Sequence, residues 1–281
     1  MNKTGLKSKF PAAAGIVCYR LISILTTGRD PGGGVLSSKE TVSQLPIFDS
    51  VADFGSLKWY DAVMKSPEIL AKKVQQEAID LGASIYDNSE VLEVKDLADH
   101  VLLKLNQQGE IREFTAKAVV LATGAWVGQK IFNNSKISCD WCTAYNIILN
   151  KQIDSTHALG FQSDLGRLYF LTPRADCSVL GTFHIPHKGS PDLAAIPDRE
   201  IEDRILEFVK LCPASGLTID DVAGVELGVL PSDNSLNKDC VPLGREKIIV
   251  SGRVLEVVST KYTTFEILAQ KIQNRLSRIL F

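Results

Sequence analysis

The chain has 281 residues, 45% of them apolar and 23% charged, enough to bury the core of one large domain or two modest ones. A formal net charge of -2 supplies no broad positive field. This argues against nucleic acid held by phosphate neutralisation and leaves a small-molecule substrate as the default partner.

Lys3, Lys7 and Lys9 lead into an apolar run over residues 10–25 that resembles a targeting sequence, but Arg20 interrupts it and no cleavage site follows. The run is also short of the ~20 apolar residues that span a bilayer. The pattern predicts a helix over 12–25 packed on a domain, with peripheral membrane contact as the alternative. The glycine-rich stretch 28–34 must break regular structure, and Ser38–Gln44 suits one short helical turn. Ser66 can cap a helix with Pro67 in its first position, and Ile69, Leu70, Val74, Ala78 and Leu81 recur at helical spacing until Gly82.

Short strands are predicted next over 84–86, 91–94, 101–105 and 111–115, the last two joined at Gln107-Gln108-Gly109 to form an antiparallel meander. The β-branched run at 117–121 reads as a buried strand that turns sharply into a helix at Ala122-Thr123-Gly124. Strands over 143–150, 168–172 and 178–182, a helix over Asp198–Leu211, strands over 248–250 and 255–258, and an amphipathic helix over 263–280 complete the expectation.

The six cysteines form no regular framework, and a reducing, cytoplasmic setting fits them. Cys139 and Cys142 have the two-residue gap of metal or redox sites. Zinc needs about four ligands, however, and no second pair or spaced histidines follow, so they read as ordinary thiols and no metal is expected.

Two segments suggest chemistry. A strand that delivers Ala122-Thr123-Gly124 presents backbone without a bulky side chain, which suits a dinucleotide phosphate or ribose; the plainer reading is an ordinary end to a buried strand. Thr260-Lys261-Tyr262-Thr263-Thr264 precedes the last helix. Its amides and hydroxyls would gather at the positive helix end, or Thr263 or Thr264 is simply an N-cap and Lys261 a solvated charge.

Taken in order, Leu57-Lys58-Trp59-Tyr60-Asp61, the helix ending at Leu81-Gly82-Ala83, Val91, and Val120-Leu121-Ala122-Thr123-Gly124-Ala125-Trp126 resemble the middle of FAD-dependent glycerol-3-phosphate dehydrogenases. Arg167-Leu168-Tyr169-Phe170-Leu171-Thr172-Pro173, Val179-Leu180-Gly181-Thr182, Gly228-Val229-Leu230-Pro231 and Lys261-Tyr262-Thr263-Thr264 continue the likeness, which covers about residues 36–272. It extends to the wider D-amino-acid-oxidase-like flavoprotein group.

The resemblance implies an α/β fold with an α+β mixture: part of an FAD-binding Rossmann-like domain joined to an antiparallel-sheet substrate domain. It divides the chain into an N-terminal helix and irregular segment (1–62), a portion of the FAD domain (63–135), the substrate sheet (136–244), and a return to the FAD domain (245–281). FAD would lie with adenine near Val91, diphosphate and ribose near Ala122, Thr123 and Gly124, and flavin pyrimidine near Thr260, Tyr262, Thr263 and Thr264. Hydride would pass from a small hydroxy substrate to the flavin, with an electron acceptor downstream. Arg167 and Lys261 are the implied substrate contacts, and Lys261 and His184 the catalytic candidates. The simpler reading of the segment holding His184 and His187 is a solvated surface turn.

Two departures qualify the likeness. No strand, Gly-x-Gly-x-x-Gly turn and helix precede residue 36, so FAD retention is expected only when such a segment is supplied. Leu230 stands where the family tends to carry a substrate-binding arginine. Losing a contact worth ~1.5–3 kcal/mol would weaken an anionic substrate roughly ten- to a hundredfold. The alternatives are a non-catalytic binding module and an amine oxidase of the same flavoprotein group.

Overall fold

The computed structural model describes residues 9–53, 55–128, 131–162, 168–187, 195–233 and 240–280. Helix α1 (Lys9–Thr27) is followed by strand β1 (Gly34–Leu36), helix α2 (Ser38–Gln44), strand β2 (Ser56–Lys58) and helix α3 (Pro67–Asp80). A meander of β3 (Ser89–Asp96), β4 (Val101–Gln107) and β5 (Glu110–Ala116) leads to β6 (Val119–Leu121) and a 3₁₀ turn at Gly124–Trp126. Next come β7 (Asp140–Leu149), β8 (Leu159–Gln162), β9 (Leu168–Arg174), β10 (Cys177–His187), helix α4 (Asp198–Leu211) and β11 (Val222–Ser232). The hairpin β12 (Lys247–Ser251) and β13 (Val254–Val258) and helix α5 (Phe265–Leu280) complete the order.

Residue chemistry accounts for several boundaries. Ser37 and Glu40 form a reciprocal capping box that starts α2, satisfying two amides a helix end would otherwise leave open. Gln108 and Gly109 both have positive φ, as a two-residue turn between β4 and β5 requires. Residues 84–86 are not a strand. They are apolar enough for one, but among the described residues no neighbouring strand pairs with them, and a ladder exists only with a partner.

The chain forms two compact units. One comprises Met1–Val74, Asn146–Gly181 and Ala195–Glu226; the other Gln75–Tyr145, Thr182–Ala194 and Leu227–Phe281. A five-stranded sheet has the order β11-β7-β10-β9-β8, and β7, β10 and β11 contribute residues to both units. In the first unit, α4 buries Ile201, Arg204, Ile205 and Phe208, one face at helical spacing. The Arg204 guanidinium is satisfied by Glu200 and Glu207 on the same helix.

The second unit holds the meander, in order β3-β4-β5, and a small mixed sheet, in order β12-β13-β6. β12 and β13 are antiparallel, whereas β13 runs parallel to β6, pairing Val254 with Val119 and Glu256 with Leu121. Val94, Val101, Leu121, Phe132 and Val254 form a buried cluster that joins the meander to this sheet. Ligands of open α/β sheets bind outside the carboxyl ends of parallel strands, so the parallel pair fixes where to look.

Candidate functional site

Residues 122–124 leave the carboxyl end of β6, and residues 259–264 leave the carboxyl end of its parallel neighbour β13. The pairing is reinforced beyond the strands, where Val127, just after the 3₁₀ turn, packs with Val258 and Leu243. The structure therefore brings Ala122, Thr123 and Gly124 to the same sheet end as Thr260–Thr264. Val91 packs on the same apolar cluster as Leu121, so it too belongs to this region.

Two details distinguish the turn. The Thr123 hydroxyl oxygen is buried without a hydrogen-bond partner, which costs about 1–3 kcal/mol unless a further group satisfies it. Gly124 has φ of 60°, and a Cβ added there would meet no atom within 4 Å. Backbone is thus presented beside open space.

At the other strand end, Lys261 introduces a 3₁₀ turn at Tyr262–Thr264 that runs into the 16-residue α5. No side chain caps it, and the Thr264 hydroxyl donates backwards to the Lys261 carbonyl at 3.1 Å. The N-cap reading of Thr263 or Thr264 is therefore not realised. Lys261, Tyr262, Thr263 and Thr264 are exposed and Thr260 is half-buried. An anion placed here would meet a positive helix end and an ammonium group together.

His184 and His187 lie within β10 rather than in a turn after it. His187 Nδ1 shares a 2.8 Å hydrogen bond with the buried Thr143 hydroxyl, and the adjacent Tyr145 and Phe183 rings pack with centroids 5.2 Å apart. His184 is half-buried, and burial lowers its pKa below the usual 6.5, favouring the neutral ring. Arg167 lies outside the described residues.

The lowered His184 pKa has a definite sign for stability. The unfolded chain binds the proton more readily, so this contribution is intact above the ordinary histidine pKa and is lost as pH falls through it. His184→Gln is expected to lessen the drop in urea midpoint between about pH 7.5 and about pH 5.5. Equal drops in the two proteins would show that His184 carries no such linkage.

Sequence reasoning missed Glu256. It is fully buried in β13, where its carboxyl accepts from the Ser135 hydroxyl at 2.5 Å and from the Lys136 amide at 3.1 Å. The available signal was an acidic residue inside Val254-Leu255-Glu256-Val257-Val258, an otherwise apolar strand. Its position opposite Leu121 makes it a fastener for the sheet end that carries the turn.

Burial raises the thiol pKa of Cys139, Cys142 and Cys212. Burial, followed by neighbouring Cys240, pushes the Cys142 thiol up to about 12, and no group of ligands able to hold a metal occurs among the described residues. A groove of about 680 Å³ lies between β12 and α5, lined by Ile248, Val250, Lys271, Arg275 and Arg278 among others. It contains none of the residues singled out above. Leu230 lies in β11, where its backbone amide donates to the Cys142 sulfur.

The sequence model of the family described as FAD dependent oxidoreductase matches residues 23–253. Across its whole length the chain is 22% identical to 52% of the aerobic glycerol-3-phosphate dehydrogenase of Staphylococcus haemolyticus strain JCSC1435. Over 89% of its length it is 25% identical to 51% of the D-erythritol 1-phosphate dehydrogenase of Brucella abortus strain 2308. The glycerol-3-phosphate dehydrogenase of Bacillus halodurans, solved with FAD, superposes with a TM-score of 0.74 at 17% identity, covering 87% of this chain and 49% of that one. The chain spans about half the length of these relatives.

Proposed function

The chain belongs to the FAD dependent oxidoreductase family, and we propose that it supports oxidation of a small anionic polyol, in the polyol-phosphate class named for its relatives. The observation that carries this reading is the buried, unpartnered Thr123 hydroxyl beside the open Gly124 turn, at the carboxyl end of a parallel strand pair. The residues present fit FAD along that edge. Thr123 and Gly124, with Ala122, would face its ribose and diphosphate, Thr260 to Thr264 its pyrimidine ring, and Val91 would flank the adenine.

When bound, FAD supplies the acceptor for the hydride that leaves the substrate carbon. Around it, the uncapped start of α5 stabilises negative charge. Lys261, an exposed ammonium group, attracts the anionic end of the substrate. His184, kept neutral by burial, takes the substrate hydroxyl proton on its free ring nitrogen. Leu230 offers no charge, so substrate binding rests more heavily on Lys261.

The test supplies the chain with the upstream strand, Gly-x-Gly-x-x-Gly turn and helix it lacks, titrates FAD while following quenching of flavin fluorescence, and repeats the titration with Thr123→Val. The variant keeps the shape but removes the hydroxyl, and its FAD affinity is expected to fall roughly tenfold. Glycerol 3-phosphate, erythritol phosphate, glycine and sarcosine are then compared for bleaching of the bound flavin. Failure to retain FAD, or equal retention by Thr123→Val, would overturn the cofactor site. Bleaching by the amines alone would overturn the polyol substrate.

A further inference from the structure

The groove between β12 and α5 is built within the second unit and uses none of the residues assigned to the cofactor edge. Glu246, Ile248 and Val250 alternate along β12 and its approach, so they share one face of the strand. Lys271, Arg275 and Arg278 recur at helical spacing on α5 and line the opposite wall. Two polar struts join the walls: Lys271 pairs with Glu246, and Arg275 donates to the Ile248 carbonyl at 3.1 Å. Apolar packing does not close the space between them. Helix α5 has no fully buried residue, Val250 stays 39% exposed, and about 680 Å³ remains open over Ile248, Val250 and Ile279.

The groove carries more positive charge than its struts use. Glu246 neutralises Lys271, whose hydrogen bond holds that carboxyl below the usual carboxylate range. Arg275 gives one donor to a carbonyl, which cancels no charge, and Arg278 has no hydrogen-bond or ion-pair partner among the described residues. Each guanidinium is a planar fork of five donors that matches a phosphate. Arg278 stands in the last turn of α5, where it also complements the negative helix end; that influence fades within the turn and does not account for Arg275.

We propose that this groove binds a phosphomonoester with a flat apolar body, an aryl phosphate in chemical class. The two uncompensated guanidiniums match the charge of about -2 that a phosphomonoester carries at pH 7, whereas a single carboxylate would leave one of them unpaired. A strand face opposite a helix leaves a slot, and a ring laid on Ile248 and Val250 fills it. The open volume falls within the range of about 300–1,000 Å³ common for small-molecule sites. Neither FAD nor a polyol substrate is required, so the proposal stands apart from the oxidoreductase reading.

The test titrates 1-naphthyl phosphate into the full chain, following naphthyl fluorescence, with inorganic phosphate and 1-naphthol as competitors. Naphthyl phosphate is expected to bind at least roughly tenfold more tightly than either competitor. Arg278→Gln should weaken it roughly tenfold without altering the thermal melt, because the side chain is exposed and unpaired. Val250→Ser should weaken naphthyl phosphate while leaving inorganic phosphate unchanged. Thr123→Val and Lys261→Gln, at the cofactor edge, should bind it as the wild type does. Equal affinity for naphthyl phosphate and inorganic phosphate, or undiminished binding by Arg278→Gln, would overturn the proposal. So would loss of binding in Lys261→Gln, which would place the ligand at the cofactor edge instead.

Discussion

Glu256→Ala is expected to destabilise the protein by about 3 kcal/mol, read as a lower urea midpoint. The carboxyl is fully buried and gathers two donors from a segment 120 residues earlier in sequence, the Ser135 hydroxyl and the Lys136 amide. Hydrogen bonds to an acidic group contribute about 1.5–3 kcal/mol each, and alanine forfeits both while leaving a void in the strand. Water can reach Lys136, which is exposed, so part of one loss is recovered. Glu256→Gln retains the shape and one accepting oxygen, and about 1–1.5 kcal/mol is expected for it. An alanine variant that unfolds at the wild-type midpoint would remove Glu256 as the fastener of this sheet end. Because Glu256 is registered opposite Leu121, FAD retention should weaken along with stability in the alanine variant.

Local chemistry made much of the fold legible. Pro67 at the first position of α3 and the run Asp198–Leu211 of α4 could be read directly, because helix starts and periodic apolar faces are short-range signals. The meander was readable for the same reason, with Gln108 and Gly109 supplying the positive φ its turn needs. β11 was not foreseen as a strand: Gly224, Gly228 and Pro231 weaken its pattern, and what sustains it is the neighbouring β7. β10 was expected to end at Thr182 but continues to His187, and this moves both histidines from a turn into a sheet.

The candidate site divides along the same line. Its two segments were visible separately, as a strand ending in Thr-Gly and a threonine-rich helix start. Their meeting depends on β6 pairing in parallel with β13, more than a hundred residues away, and no local pattern encodes that pairing. The buried Thr123 hydroxyl and the absence of a side-chain cap at Lys261 are likewise tertiary facts. Glu256 offered a sequence signal, but an acidic residue in an apolar strand shows only that a partner is needed, not which one.

Substitutions at Gly124 separate cofactor binding from folding. A Cβ at this position would meet no atom within 4 Å, so the protein itself resists alanine only through backbone strain. With φ at 60°, that strain is about 1–2 kcal/mol. If the open space belongs to FAD, Gly124→Ala should lower FAD affinity at least tenfold, equivalent to about 1.4 kcal/mol beyond the folding cost. Gly124→Asn sharpens the comparison, because asparagine adopts the left-handed region more readily yet fills the same space. It should melt closer to the wild type than the alanine variant does and bind FAD no better. Flavin-quenching titrations beside thermal melts measure both quantities on the same samples. If FAD affinity followed stability, with asparagine restoring both, the turn would be a structural bend and the cofactor edge would have to be sought elsewhere on the sheet.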